Sequence, residues 1–253
     1  MFKKLIENLK IFSRKKEFKN LTLNDLPSMG YFYDDNFKVH ISKATEEDIE
    51  NFKENYKPDT LNSLFSISEV VQKNILLPKG YSYKHLSSID VVFIFFEIVR
   101  FTKEEPIYIN LPSYSVEFTP NNFKYFDVNE ELKKFYNKDK KAFIIDGYSY
   151  SIPSIGVENS ITKFLTICYY NNELDKYSDK NYDFLFFLNK RVELTTKEII
   201  NLIEIFNDDM EDEEVEKVKN IINMFEDFTT YRLYNKNGSI IKMNNLNLER
   251  VWD

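Results

Sequence analysis

The feature that most constrains the fold is an apolar run, IDVVFIFFEIV at residues 89–99, which carries only two charged side chains, Asp90 and Glu97. A membrane-spanning helix needs about 20 apolar residues, so this run is too short to cross a bilayer. A helix that is apolar on every side must instead be surrounded by its own domain. We therefore predict a central helix from about Ser88 to Phe101. Its predicted buried side chains are Val92, Phe95, Phe96 and Val99.

The two acids of this run have two interpretations. Asp90 lies in the first turn of the predicted helix, where the positive end of the helix dipole favours a carboxylate. Glu97 stands three residues before Arg100, a spacing at which opposite charges pair on a helix. Alternatively, Asp90 and Glu97 share one helix face and form a metal or acid–base pair. We favour the structural interpretation, because ordinary helix electrostatics explains both positions.

The composition indicates a folded, acidic protein. Of the 253 residues, 43% are hydrophobic, which is enough to build a core although 30% are charged. The net charge of −7 argues against nucleic-acid binding, which usually requires a basic surface. Cys168 is the only cysteine, so the chain has neither an internal disulfide nor a cysteine-cluster zinc site. The N-terminal sequence MFKKLIENLK does not resemble a secretory signal, and we expect a soluble protein in a reducing cytoplasm, without stable membrane insertion.

Residues 1–20 form a predicted basic amphipathic arm. Apolar side chains recur at helical spacing along one face, and cations cover much of the remaining surface. The apolar positions are Phe2, Leu5, Leu9 and Phe12, and the cations are Lys3, Lys4, Lys10, Arg14, Lys15 and Lys16. Such a helix either docks on an acidic partner or a membrane surface, or packs on its own domain.

Beyond the arm, helices and short strands alternate irregularly, which predicts an α+β fold with β-hairpins interrupted by helices. We predict a mixed hairpin and helix lobe at 21–157 and a helical lobe at 158–253 that ends in a β-hairpin. After a loop at 21–28, the predicted strands are 31–33, 37–41, 106–111, 114–118, 142–153 with a turn at Asp146-Gly147, 229–234 and 239–243. The predicted helices are one capped by Thr45, then 61–76, 88–101, 129–137 capped by Asn129, 158–170, 182–190, 196–207 and 210–226. In the helix at 61–76, the predicted inward side chains are Leu61, Leu64, Phe65, Val71 and Ile75.

The search for catalytic motifs gives only weak signals. The five glycines are isolated in the sequence, so there is no glycine-rich nucleotide loop. His40 and His85 lack metal-motif neighbours, and we interpret both as structural. A metal-dependent nuclease would use Asp127, Glu131 and Lys133, but that chemistry normally places the last two on a strand, whereas here they are predicted to be helical. We expect no cofactor and no catalytic residues.

An acidic run, DDMEDEEVE at 208–216, has two interpretations. Seven of its nine residues are acids, and it lacks the glycine and alternating ligands of a calcium loop. Acids are favourable at a helix start, so a solvated helix N-terminus is the simpler interpretation. Alternatively, the run docks a basic partner, which would neutralise the repulsion among its charges. The basic arm and this run together favour ordered assembly or self-association.

The stretch LPSMGYFYDDNFKVHISKATEEDI resembles the N-terminal signature of the T-even-like bacteriophage baseplate hub assembly proteins. The matching residues are Leu26, Pro27, Ser28, Gly30, Tyr33, Val39, Ile41 and Thr45. The run IDVVFIFFEIVRFT is similar to the family's helix in which an acid opens an apolar run and an arginine closes it, here Asp90 and Arg100. Members often carry cysteine pairs after that helix, and this chain has none there.

The resemblance implies a non-enzymatic protein that takes part in building the baseplate hub of a contractile-tailed phage. It implies other baseplate or tail proteins as partners, and a location in the host cytoplasm during assembly or in the virion baseplate. The predicted partner-binding residues are Lys3, Lys4, Lys10, Arg14, Lys15, Lys16, Pro27, Gly30, Tyr33, Asp208, Asp209, Glu211 and Asp212. The alternatives are the metal-dependent nuclease and a phage-encoded host-takeover protein that binds a bacterial target.

Overall fold

The fold is α+β, as predicted, with helices and small antiparallel sheets. A computed structural model describes residues 17–58, 61–110, 115–119, 130–173, 177, 183–188, 192–229, 232–234, 240–242 and 248–253. The helices are α1 Glu46–Asn55, α2 Leu61–Lys73, α3 Ser88–Lys103, α4 Glu130–Lys133, α5 Ile155–Tyr170, α6 Asp183–Phe187, α7 Thr196–Glu204 and α8 Asp212–Thr229. The strands are β1 Phe18–Thr22, β2 Lys38–Ser42, β3 Ile75–Leu76, β4 Ile107–Asn110, β5 Ser115–Phe118, β6 Tyr136–Asn137, β7 Ala142–Ile145, β8 Tyr148–Tyr150, β9 Arg232–Tyr234 and β10 Ile240–Lys242.

The sheets are local, because sequence neighbours pair with one another. Strands β1, β2 and β3 form one three-stranded sheet, and β6, β7 and β8 form another. Strands β4 and β5 pair as a hairpin, and so do β9 and β10. The predicted Asp146-Gly147 turn is confirmed, since both residues have positive φ, 49° and 86°, as a type I′ hairpin turn requires.

The first sheet corrects the predicted hairpin. Residues 31–33 form turns, and the partner of β2 is β1, which spans the end of the predicted arm and the start of the predicted 21–28 loop. The rings of Tyr33 and Phe37 stack at 4.2 Å, so the segment between them coils instead of extending. Residues 1–16, which hold the arm cations, lie outside the described residues.

Helix α3 is the centre of the first core, as predicted. Val92, Phe95, Phe96 and Val99 are all buried. This core also receives side chains from β1, β2, α1, α2, β4, β5 and the C-terminal residues 248–252. None of the described helices is both long enough and apolar enough to cross a membrane.

Helix α2 confirms one prediction and corrects another. The predicted helix at 61–76 ends at Lys73, so Ile75 packs on the first core from β3 and not from the helix. Val71 is buried as predicted, but Phe65 is 62% exposed. Phe65 lies on the outer face because the helix turns Ile67, Val70 and Val71 inward. The side chains of Leu61 and Leu64 lie outside the described residues.

The second core is built from β7, β8 and helices α5 to α8. Ile89, at the start of α3, belongs to this core, so α3 joins the two. Neither core is one continuous stretch of sequence, since residues 143–150 pack with the later helices and residues 248–252 pack in the first core. The predicted lobes at 21–157 and 158–253 stay a prediction.

Helix ends in this lobe also differ from prediction in places. The predicted helix at 129–137 ends at Lys133, and its last two residues form β6. Asn129 lies outside the described residues. Helix α7 continues as a π-helical turn at Ile205–Asp209, and the terminal hairpin is confirmed by the pairing of β9 with β10.

Candidate functional site

The signature segment at 26–33 is anchored on a buried carboxylate, Asp90. Its Oδ1 accepts the backbone N–H of Ser28 at 2.9 Å, and its Oδ2 accepts the hydroxyls of Tyr33 at 2.6 Å and Ser87 at 2.7 Å. The Tyr33 oxygen in turn accepts the backbone N–H of Ser87 at 2.9 Å. Asp90 thus lies in the first turn of α3, as predicted, and ties a distant segment to the helix start.

Burial controls the electrostatics of this anchor. It raises the pKa of Asp90, while the hydrogen bonds from Tyr33, Ser28 and Ser87 act in the opposite direction. Burial raises the pKa of Tyr33 well above its ordinary value, and the negative charge of Asp90 adds to that effect. Asp90 and Tyr33 are both shielded from solvent and satisfied by internal partners, so the arrangement holds structure together.

Gly30 forms the tip of this segment together with Met29. The N–H of Tyr31 donates to the carbonyl of Ser28 at 3.1 Å, and the φ angles of Met29 and Gly30 are 50° and 73°. These values describe a type I′ turn. A Cβ on Gly30 would lie 2.8 Å from the Cβ of Leu23, so both conformation and space require glycine.

The turn changes which residues face outward. Pro27 and Tyr33 were predicted to contact a partner, but both are buried on either side of the turn in sequence. Gly30 is partly exposed, and Met29 is 49% exposed. Sequence reasoning missed Met29, although its position directly before Gly30 is the first central position of a two-residue turn, where a side chain projects from the tip.

Glu97 has its own set of partners. Arg100 donates to both of its oxygens, at 3.0 and 2.8 Å, which confirms the predicted pair. Lys19 of β1 also forms an ion pair with the buried Glu97 carboxylate. Asp90 and Glu97 therefore have separate partners, and Lys19 ties β1 to α3 as Ser28 and Tyr33 tie the 26–33 segment to it.

The histidines make local structural contacts. His40 on β2 hydrogen-bonds Asn20 on β1, and His85 accepts the backbone N–H of Ser82 at 2.9 Å. Among the described residues, no group of three or more histidine, cysteine, aspartate or glutamate side chains is arranged to hold a metal ion. Of the nuclease candidates, Glu131 and Lys133 lie in helix α4, whereas Asp127 lies outside the described residues.

A pocket of about 210 Å³ lies beside the anchored segment. Its lining includes Tyr81, His85 and Lys141, and each of these polar groups already has a partner. The Tyr81 hydroxyl donates to Asp34 at 2.6 Å, and Lys141 forms an ion pair with Asp35 at 2.9 Å. These partners leave Tyr81, His85 and Lys141 engaged within the protein.

The acidic run borders a second pocket, of about 260 Å³. Glu211 and Asp212 are exposed at the start of α8, and the side chains of Asp208 and Asp209 lie outside the described residues. Opposite α8, the β7–β8 hairpin contributes further side chains to this pocket. The polar lining consists of Asp146, Tyr148, Tyr150, Glu211, Glu213, Glu214 and Lys217. The sequence marked Asp146 only as a turn residue, because its approach to α8 depends on the tertiary fold.

Comparison of the chain with family models, with curated proteins and with solved structures gives no match. The resemblance at residues 26–45 and 89–100 therefore rests on the residues themselves. Any function must be argued from the contacts described above.

Proposed function

We propose that this chain is a non-enzymatic baseplate hub or hub-assembly protein of a contractile-tailed phage, and that it acts through protein–protein contacts. One observation carries the proposal. The two stretches that resemble the hub assembly family, around Gly30 and around α3, are joined by the hydrogen bonds from Ser28 and Tyr33 to Asp90. The residues that carry the resemblance thus form one structural unit, as a shared architecture requires.

The anchored turn suits a binding role. Two hydrogen bonds to Asp90, from Ser28 and Tyr33, fix its base, and Met29 projects from the tip with an exposed apolar side chain. A rigid loop loses little conformational entropy when it binds, so its contacts contribute more fully to affinity.

The charge distribution supports binding at two further places. Residues 1–16 of the arm carry six cations, and the start of α8 carries exposed acids. Opposite charges at separate places on one chain favour assembly with oriented partners, either other baseplate proteins or further copies of this chain. The side chains that sequence reasoning offered as an acid–base pair, Asp90 and Glu97, have structural partners instead.

Co-expression with the hub proteins encoded in the same genome tests the proposal. We expect the full chain to co-purify with at least one of them, and deletion of its gene to give defective baseplates. Met29→Asn is the sharpest variant, because Asn-Gly favours the type I′ turn while the apolar tip is lost. We expect it to fold normally and to bind the hub protein at least about fivefold more weakly.

Leu76→Thr provides the matched control, since Leu76 is also an exposed apolar residue but belongs to β3 and not to the turn. It should leave hub binding unchanged. Normal baseplates after deletion, together with no co-purification of any hub protein, would refute the proposed function.

A further inference from the structure

The pocket at the start of α8 is lined by four carboxylates and two tyrosines. Asp146 enters it from the β7–β8 turn, and Tyr148 and Tyr150 from β8. Helix α8 and the residue before it supply the facing acids, Glu211, Glu213 and Glu214, with Lys217 one turn further along.

The negative charge exceeds what the pocket neutralises internally. Four carboxylates face one cation, Lys217, which pairs with Glu213 at 2.9 Å. Glu214 accepts the Tyr148 hydroxyl at 2.6 Å, and this bond, with burial, raises the pKa of Tyr148 to about 12. Lys217 forms its ion pair with Glu213 and acts on Asp146 only as a further charge, and within the described part of the chain no cation lies in ion-pair contact with Asp146 or Glu211. These two acids are therefore available to a cationic ligand.

Tyr150 gives an independent indication of a ligand. The residue is fully buried, and its hydroxyl has no hydrogen-bond partner. Its ring stacks on Phe225, with centroids 5.9 Å apart, which fixes the direction of the hydroxyl. Burial raises its pKa, and the neighbouring Tyr148, Asp146 and Glu214 raise it further, so the group stays protonated. A buried polar group without a partner is uncommon in folded proteins and calls for a donor or acceptor supplied from outside.

We propose that this pocket binds the guanidinium group of an arginine side chain. A guanidinium has five N–H donors and no acceptor, which complements a site of carboxylate oxygens and a phenol oxygen. Its planar fork bonds a carboxylate through two parallel hydrogen bonds, and Asp146 and Glu211 are the free carboxylates. The unpartnered Tyr150 oxygen is a further acceptor among the residues that line the pocket. Aromatic rings in the wall favour a flat cation.

Two sources present this group. One is an arginine of a partner protein, and the other is Arg14 in the basic arm of a second copy of this chain. The choice of source rests on the proposed protein-binding function, but binding of a guanidinium to the pocket does not. Failure to co-purify with a hub protein and failure of the pocket to bind a guanidinium are therefore separate results.

The primary test titrates N-acetylarginine amide into the full-length protein at low salt, with amide chemical shifts as the readout. We expect saturable shifts at the β7–β8 turn and the start of α8, weakened as salt screens the charges. N-acetylcitrulline amide has nearly the same shape but no charge, and it should not bind. Equal binding of the arginine and citrulline compounds would overturn the proposal.

Variants locate the site. Asp146→Asn keeps a residue that tolerates the turn's positive φ, and Glu211→Gln changes an exposed side chain, so both should fold. Each should weaken arginine binding by at least about fivefold. Tyr150→Phe retains the stacked ring and should also weaken binding. The matched control is Glu216→Gln, an exposed acid of α8 outside the pocket. Equal losses in Glu216→Gln and Glu211→Gln would show that only general charge matters and would refute the site.

Sedimentation of the full chain distinguishes the sources. If the chain self-associates at low salt and both Arg14→Gln and Glu211→Gln abolish this, the result supports binding at the pocket, with a second copy of the chain as the donor of the guanidinium. A monomer that still binds N-acetylarginine amide supports the pocket with a partner protein as donor.

Discussion

At the scale of single residues, Asp90 determines how the N-terminal segment folds onto the central helix. A buried carboxylate is costly unless hydrogen bonds satisfy its oxygens. Here a backbone N–H and two hydroxyls do so, and they come from residues 28, 33 and 87. The sequence predicted the helical position of Asp90, but a residue far away in the chain completes its environment, and helix electrostatics alone does not predict that contact.

Tyr33→Phe tests the anchor. The substitution removes the hydroxyl that donates to Asp90 and accepts from the N–H of Ser87, and leaves both groups buried without that partner. We expect the free energy of unfolding to fall by about 2–3 kcal/mol, measured by urea denaturation. Tyr81→Phe is the control, because it removes a similar bond to Asp34 at the surface and should cost less than about 1 kcal/mol. Equal losses in the two variants would contradict a special role for the buried network.

Gly30→Ala tests the turn. Alanine at positive φ costs about 1–2 kcal/mol, and the close approach of Leu23 adds about 1–3 kcal/mol of overpacking. We therefore expect a total loss of about 2–5 kcal/mol in thermal or chemical unfolding. Gly147→Ala isolates the backbone contribution, since Gly147 also has positive φ but has open space around it. A Gly30 variant no less stable than the Gly147 variant would show that Leu23 yields without cost.

At the scale of elements, two helix starts meet where the cores join. Ser87 and Ser154, the N-caps of α3 and α5, form an isolated antiparallel bridge, and the N–H of Ile155 donates to the carbonyl of Leu86 at 2.8 Å. Glu158, in the first turn of α5, lies at this junction. Burial raises its pKa from 4.5 to about 7, and a hydrogen bond from Ser88 limits the shift.

Glu158→Gln tests this junction through pH. Because the pKa of Glu158 is higher in the folded than in the unfolded chain, the folded state binds more protons between pH 4.5 and 7, and stability falls as pH rises through that window. Glutamine stays neutral. Relative to the natural chain, the variant should be little changed at pH 4.5 and more stable at pH 8 by about 1–3 kcal/mol. Glu216→Gln on the exposed face of α8 should show no such pH-dependent difference, and a flat difference for Glu158→Gln would contradict the raised pKa.

The sequence predicted helices and turns better than it predicted the tertiary contacts between them. Period and capping chemistry located α3, the Thr45 cap and the Asp146-Gly147 turn, because those signals depend on residues close together in the chain. The Tyr31–Tyr33 strand was wrong, since alternation of aromatic and polar residues cannot distinguish a strand from turns whose rings stack on each other. The acidic pocket was beyond prediction, because Asp146 and Glu211 meet only when the hairpin packs on α8.

At the scale of the whole molecule, the two cores share structural supports. Helix α3 contributes Ile89 to the second core and most of its remaining apolar side chains to the first. The Tyr136 hydroxyl donates to the carbonyl of Tyr31 at 2.6 Å and links β6 to the anchored segment. A loss of packing in one core should therefore weaken the other, and the chain should unfold as one cooperative unit.

Trp252 makes this coupling measurable. It is the only tryptophan and lies in the first core, with ring centroids 6.3 Å from Phe52 and 6.0 Å from Phe95. Phe225 lies in the second core and is fully buried. Phe225→Ala should cost about 3–5 kcal/mol through lost packing and a cavity. We expect the urea midpoint of Trp252 fluorescence to fall together with the midpoint of far-ultraviolet circular dichroism.

The control for this experiment is Glu216→Gln, which lies on the same helix as Phe225 but is exposed, and it should move neither midpoint. If the cores were independent, Phe225→Ala would lower the circular dichroism midpoint in part and leave Trp252 fluorescence at its original position. Coincident shifts would instead mean that the helix start at Ile89, the Tyr136 hydrogen bond and the junction at Ser87 transmit the loss. In that case, a partner that binds the acidic pocket would also stabilise the anchored turn by mass action, because both belong to one folding unit.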